Sequence, residues 1–148
     1  MKNKSCFFIG NREIPEDIRE KLTEVIEKHI VEYGVNTFTV GHYGNFDKLV
    51  MNVLKELKEH HSKIKLYLLL PYHPTLQKIE IPKYFDDTLY PEGMETIPKP
   101  YAIIHANRYM IQHSNYLITY CHHIGNTRNF VNYAQKREKK GLIKITQL

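Results

Sequence analysis

Four short apolar runs of the sequence are each followed by a donor-rich cluster. These are Gly10-Asn11-Arg12, Gly41-His42-Tyr43-Gly44-Asn45-Phe46-Asp47, Pro71-Tyr72-His73-Pro74 and His122-His123-Ile124-Gly125-Asn126-Thr127-Arg128. In the last of them Gly125, Asn126 and Thr127 precede an amphipathic stretch, so free backbone N–H groups and a hydroxyl could receive an anion, with phosphate the natural guest. The same three residues would also make a turn and cap a helix. Arg12 could fork onto a phosphate. Asp47 falls in the first turn of an expected helix, where a carboxylate suits the dipole, and it could instead hold a sugar hydroxyl or activate a water. Arg108 fits either a solvated helix face or a charge-stabilising role.

Other chemistries find less support. Cys121 with His122 and His123, together with His60, His61, His105 and His113, offers metal-ligating atoms but no ligand spacing, and neighbouring residues on an extended segment point to opposite sides. There is no Gly-x-Gly-x-x-Gly fingerprint, no Gly-x-x-x-x-Gly-Lys-Ser/Thr loop and no Gly-x-Ser-x-Gly elbow. No cofactor is called for, and no metal is expected. Tyr43, Tyr72 and Tyr120 are the tyrosines beside expected strand ends, placed where they could stack on a base.

The elements that must position these loops follow from hydrophobic period. Residues 5–9, 37–40, 64–70, 116–121 and 142–145 read as short buried strands. Ile14, Ile18, Leu22, Val25, Ile26, Ile30 and Tyr33 recur at helical spacing, with Pro15 suited to a first helical position and Gly34 to a stop. Phe46, Leu49, Val50, Val53, Leu54 and Leu57 define a second helix, Ala102, Ala106, Met110 and His113 a third, and Phe130, Val131 and Ala134 a fourth capped by Asn126 or Thr127. Prolines 71, 74, 82, 91, 98 and 100 break the pattern, so residues 72–100 are expected to form an irregular excursion. The alternation predicts an α/β fold: a Rossmann-like three-layer sandwich with a mainly parallel five-stranded sheet, in one domain spanning 1–148. Ligands of such sheets bind outside the carboxyl ends of the strands, where the four clusters lie.

Composition sets the frame. The chain has 148 residues, 42% hydrophobic and 25% charged, the ordinary globular range rather than that of a disordered or fibrous chain. Lys and Arg number 21 against 16 Asp and Glu, a net charge of +5. The densest basic group, Lys136, Arg137, Lys139 and Lys140, falls at the end of an expected helix, where cations complement the dipole, so nucleic acid is an unlikely partner. No apolar run approaches the roughly 20 residues that span a bilayer, so no membrane partner is expected. With two well-separated cysteines and no leader pattern, the expected location is cytoplasmic, with both thiols reduced. The eleven tyrosines and open sheet edges point to a homo-oligomer.

Cys6-Phe7-Phe8-Ile9-Gly10-Asn11-Arg12-Glu13-Ile14-Pro15 resembles the CxFxGHRxxP opening of the SLOG superfamily of Rossmann-like nucleotide-binding domains. Gly41 to Asp47 is similar to that family's second-strand glycine loop, and Asn107-Arg108-Tyr109-Met110-Ile111 with Gly125-Asn126-Thr127-Arg128-Asn129 resembles its NRxMI and GGT segments. Asn11 stands for the usual His, Asn115 for the usual Asp, and the GGT loop has one glycine fewer. The resemblance implies a cytosolic module that binds a nucleotide or nucleotide-derived small molecule, as a sensor or by sequestering it. Gly10, Asn11, Arg12, Gly125, Asn126, Thr127 and Arg128 would lie on phosphate, with Gly44, Asn45 and Asp47 on the sugar and Gly41 among the ligand-binding residues. The alternative is hydrolysis of an N-glycosidic or phosphate bond, with Asp47 as base and Arg108 or Arg12 stabilising charge. The phosphoribohydrolase branch carries a Glu after its glycine loop, and the corresponding stretch here, around Phe130 and Val131, has none. The chain is therefore expected to release no free adenine from AMP. Turnover above a heat-denatured control would overturn that expectation.

Overall fold

In the computed structural model, which describes residues 3–148, the first apolar run forms strand β1 (Ser5–Gly10) at the centre of a six-stranded sheet. Helix α1 (Ile18–Val31) leads to β2 (Thr37–Val40), and α2 (Gly44–His60) leads to β3 (Lys65–Leu69) and then β4 (Asp87–Leu89). Helix α3 (Ala102–His113) precedes β5 (Tyr116–Tyr120), and α4 (Asn126–Lys139) precedes β6 (Lys144–Gln147). The strands are ordered β4-β3-β2-β1-β5-β6, and every neighbouring pair is parallel.

Strand alternation divides β1 between two cores. Cys6 and Phe8 join Leu22, Ile26, Phe46, Val50 and Leu54 under α1 and α2, whereas Phe7 and Ile9 join Ala106, Met110, Ile111, Phe130 and Ala134 under α3 and α4. This is the three-layer α/β arrangement expected from the alternation of elements. Burying both faces explains why the inner strands read as continuous apolar runs. Both cysteines are buried and free.

The sheet has one strand more than the five expected. The extra one, β4, lies inside the supposedly irregular 72–100 stretch and pairs through Tyr67↔Asp87, Leu68↔Thr88 and Leu69↔Leu89. Three residues give no readable period. The strand is instead seated by Asp86, whose carboxylate accepts the Leu66 N–H at 2.8 Å and Lys58 Nζ at 2.5 Å, with Lys65 at 3.8 Å. Partial burial alone would raise the Asp86 pKa, but these hydrogen bonds and charges outweigh it and hold the carboxyl below its usual range. Two 3₁₀ turns, Met94–Thr96 and Lys99–Tyr101, complete the excursion, and Met94 plugs into the second core.

Smaller differences have local causes. Helix α1 begins at Ile18 rather than Pro15, and the last strand starts at Lys144, two residues beyond the expected start at 142. Neither Asn126 nor Thr127 caps α4. Gly125 takes the capping position with φ 149° and no side-chain bond, leaving the Thr127 hydroxyl to donate to the Gly10 carbonyl at 3.3 Å. At the other end of that contact the chain is tight, since a Cβ on Gly10 would run into the Phe46 ring. Gly10→Ala should accordingly cost on the order of 1–3 kcal/mol, the range for overpacking a filled core. Urea unfolding checks this, and an unchanged midpoint would contradict the seating of α2 on β1.

Candidate functional site

The strand order reverses direction between β1 and β5: the chain steps outward through β2, β3 and β4 on one side, then through β5 and β6 on the other. Loops leaving neighbouring strands diverge at such a point and open a crevice at the carboxyl edge. A cavity of about 270 Å³ occupies it, close to the lower bound of small-molecule sites at roughly 300 Å³. Gly10 and Arg12 come from the end of β1, Gly41, Tyr43 and Asp47 from the β2–α2 junction, and Asn126 and Thr127 from the start of α4. Ile103, Ile104 and Phe130 supply an apolar wall.

Six of the twelve residues singled out in the sequence therefore line one cavity: Gly10, Arg12, Gly41, Asp47, Asn126 and Thr127. The other six surround or leave it. Asn11 ties two strand ends together, its N–H donating to the Tyr120 carbonyl at 3.0 Å while its Oδ1 accepts the His122 N–H at 2.9 Å. Gly44 adopts φ +88°, and a Cβ there would lie 3.1 Å from the Arg12 Cα, so a bare backbone lets α2 approach the Arg12 loop. Asn45 secures the same approach, its N–H donating to the Arg12 carbonyl at 2.9 Å. Gly125 supplies the turn into α4, and Arg128 donates to the Cys121 carbonyl at 3.2 Å. Arg108 stacks outward over the Tyr133 ring at 5.6 Å.

In place of Arg108, its neighbour Asn107 lines the cavity. Sequence reasoning missed Asn107 and its wall partners Ile103 and Ile104. The available signal was the four-residue spacing from Ile103 to Asn107, one position along from the Ala102–Ala106–Met110 face that did stand out. Among the tyrosines, Tyr43 lines the cavity, whereas Tyr120 packs on His122 with ring centroids 4.3 Å apart.

The charge pattern is sparse. The lining holds one cation, Arg12, and one acid, Asp47, and they form no ion pair; no carboxylate pairs with Arg12 among the described residues. The first N–H groups of α4 lack intrahelical partners and carry the positive end of the helix dipole, next to Thr127 and Asn126. This end of the cavity can take an anion.

Asp47 has a double position. Its Oδ2 accepts the N–H of Tyr43, the residue preceding α2, at 3.0 Å, so the carboxylate closes the first turn of the helix onto that N–H. The same oxygen fills the space over Gly41, where a Cβ would sit 3.0 Å away. Although the carboxyl borders the cavity, protein surrounds it closely. Burial pushes its pKa up to about 7, only partly opposed by the Tyr43 N–H. Burial, reinforced by Tyr72, also pushes the Tyr43 phenol up to about 12. It lowers the His42 pKa as well, with partial opposition from the Leu69 backbone. His42 packs on Tyr43 with centroids 4.2 Å apart, and neither of its ring nitrogens makes a well-formed hydrogen bond.

No group of three His, Cys, Asp or Glu among the described residues is arranged to hold a metal ion, and no helix there is long and apolar enough to cross a membrane. Compared with protein-family models and with curated proteins, the sequence matches none.

Because Asp47 holds its proton more tightly folded than unfolded, its contribution to stability is complete below its ordinary pKa near 4 and is lost as pH rises through about 7. Asp47→Asn keeps an acceptor for Tyr43 but does not ionise. The variant should gain on the wild type from about pH 4 upward, by up to about 1.4 kcal/mol per pH unit, and level off above neutrality. Thermal unfolding of both proteins across this range tests it, and parallel pH profiles would show that Asp47 titrates normally.

Proposed function

We propose that the cleft binds a nucleotide or nucleotide-derived small molecule, with its phosphate between Arg12 and the start of α4. The observation that carries this reading is that Arg12, which has no carboxylate partner among the described residues, and the first residues of α4 line the same partly apolar cavity at the point where strand order reverses. The wall formed by Ile103, Ile104 and Phe130 suits the flat face of a base, and Asn107 and Asn126 bring amides that can read its edge. The SLOG-like motifs favour the same reading, with the protein acting as a cytoplasmic sensor or sequestering module that self-associates.

Hydrolysis is the second reading, and one observation favours it: an acid with a pKa of about 7 is suited to proton transfer at neutral pH. Against it, Asp47 is the one carboxylate in the lining, whereas cleavage of a glycosidic bond ordinarily uses two. Arg108 stacks on Tyr133, so Arg12 would have to stabilise charge in any such reaction.

A thermal-shift screen of nucleoside monophosphates, cyclic dinucleotides and ADP-ribose derivatives tests binding, since a ligand at 100 times its Kd adds about 2.7 kcal/mol. Hydrogen bonds to a charged group contribute about 1.5–3 kcal/mol, so Arg12→Ala should weaken a phosphate-bearing ligand roughly tenfold or more. Thr127→Ala should cost less, because the backbone donors survive. No shift across the panel, or unchanged affinity in Arg12→Ala, would overturn the reading.

A further inference from the structure

Between β3 and β4 lies a stretch whose backbone is bonded to nothing else in the chain. From Lys78 to Pro82 the chain neither turns nor bends, and it belongs to no helix or strand. Among the described residues the N–H groups of Lys78, Ile79, Glu80 and Ile81 find no acceptor, and their carbonyls receive no donor. An unbent run with free donors and acceptors offers what an open sheet edge offers, a template for another strand.

Side chains alternate along this run. Ile79 packs against the core under α1 and α2, while Lys78 and Glu80 are exposed. Neither of the two is ion-paired among the described residues. Leu76 and Ile81, 75% and 43% exposed, are two of the six large apolar side chains that the described residues leave open to solvent. Period-two alternation and β-branched residues suit a strand, and what is missing is a neighbour.

Lys78-Ile79-Glu80 is complementary to itself. In antiparallel strands, directly opposite side chains lie about 4.5–5.5 Å apart and interact in pairs. A two-fold axis through Ile79 sets each Lys78 opposite the partner's Glu80, whereas an axis through Lys78 or through Glu80 would oppose like charges. With the axis at Ile79, Gln77 falls opposite the partner's Ile81, and Leu76 comes beside the partner's Pro82. The exposed apolar side chains are then covered.

We infer that residues 77–81 are a docking strand for a second copy of this chain, joined antiparallel about Ile79, with reciprocal Lys78–Glu80 pairs fixing the register. Pro82, which has no N–H, ends the ladder. So short a contact falls below the roughly 1,200–2,000 Å² of a standard interface, and association is therefore weak and concentration-dependent. None of this depends on what the cleft binds.

Sedimentation velocity across the micromolar to millimolar range tests it. The wild type should pass from monomer to dimer. Lys78→Glu and Glu80→Lys each turn two attractive pairs into repulsive ones, and each should weaken the dimer by about tenfold or more. Because the two reversals move net charge in opposite directions, a loss common to both cannot come from overall charge. Mixed in equal amounts, the two variants should form a heterodimer with the affinity of the wild-type dimer, since every acid of one then faces a lysine of the other. Amide exchange within residues 78–81 should slow as wild-type concentration rises and should not slow in either single variant. A wild type that stays monomeric, a dimer indifferent to the reversals, or reversals that mixing does not rescue would each overturn the inference. Thermal shifts with nucleotides should be the same in all these proteins, so the reading of the cleft stands or falls separately.

Discussion

The ring of Phe46 occupies the space that any side chain on residue 10 would need, and this contact ties the start of α2 to the end of the central strand. The rest of the carboxyl edge is arranged around it. With α2 drawn this close, the backbone at Gly44 must pass beside Arg12, the Asn45 N–H reaches the Arg12 carbonyl, and Asp47 is swung over Gly41. All four strand-end clusters noticed in the sequence thereby reach one cavity, the third through Pro71 alone. The glycines at 10, 41 and 44 have a common purpose: each omits atoms that a neighbouring group requires.

The same crowding produces the site's electrostatic character. A carboxyl near a helix N-terminus would ordinarily be stabilised as an anion by the dipole. Here one oxygen is consumed by the Tyr43 N–H and the group is packed against Gly41 and Tyr43 at the margin of a partly apolar cavity, so desolvation prevails. Arg12, packed along Gly44 with its carbonyl accepting the Asn45 N–H, remains exposed. One enclosed acid and one exposed base are the ionic groups of the lining.

Much of this was legible because it depends on period and position. Residues 5–9, 37–40, 64–70 and 116–121 announce strands as short runs rich in apolar, aromatic and β-branched residues, and the loops that follow such strands must share an edge once the sheet is parallel. What could not be read depends on partners distant in sequence. Asp87-Thr88-Leu89 becomes a strand because Asp86 finds Leu66 and Lys58, some 20 and 28 residues away, a pairing that leaves no local pattern. Thr127 looks like a cap and instead donates to Gly10, 117 residues earlier. Arg108 and Asn107 are adjacent in sequence, and only the rotation of α3 against β1 decides that the amide faces the cavity while the guanidinium stacks on Tyr133.

The central pairing also dictates an order of events during synthesis. β1 is bounded on one side by β2, about thirty residues on, but on the other by β5, with Cys6 beside Tyr116 and Gly10 beside Tyr120. While the chain is being made, the first strand therefore waits with one edge open, and with Phe7 and Ile9 uncovered, until α3, β5 and α4 have emerged. Closing so long a loop is entropically slow, and an unpaired, apolar central strand is a template for association with other chains. The nascent half-sheet, rather than the finished molecule, is where this protein is most exposed to aggregation.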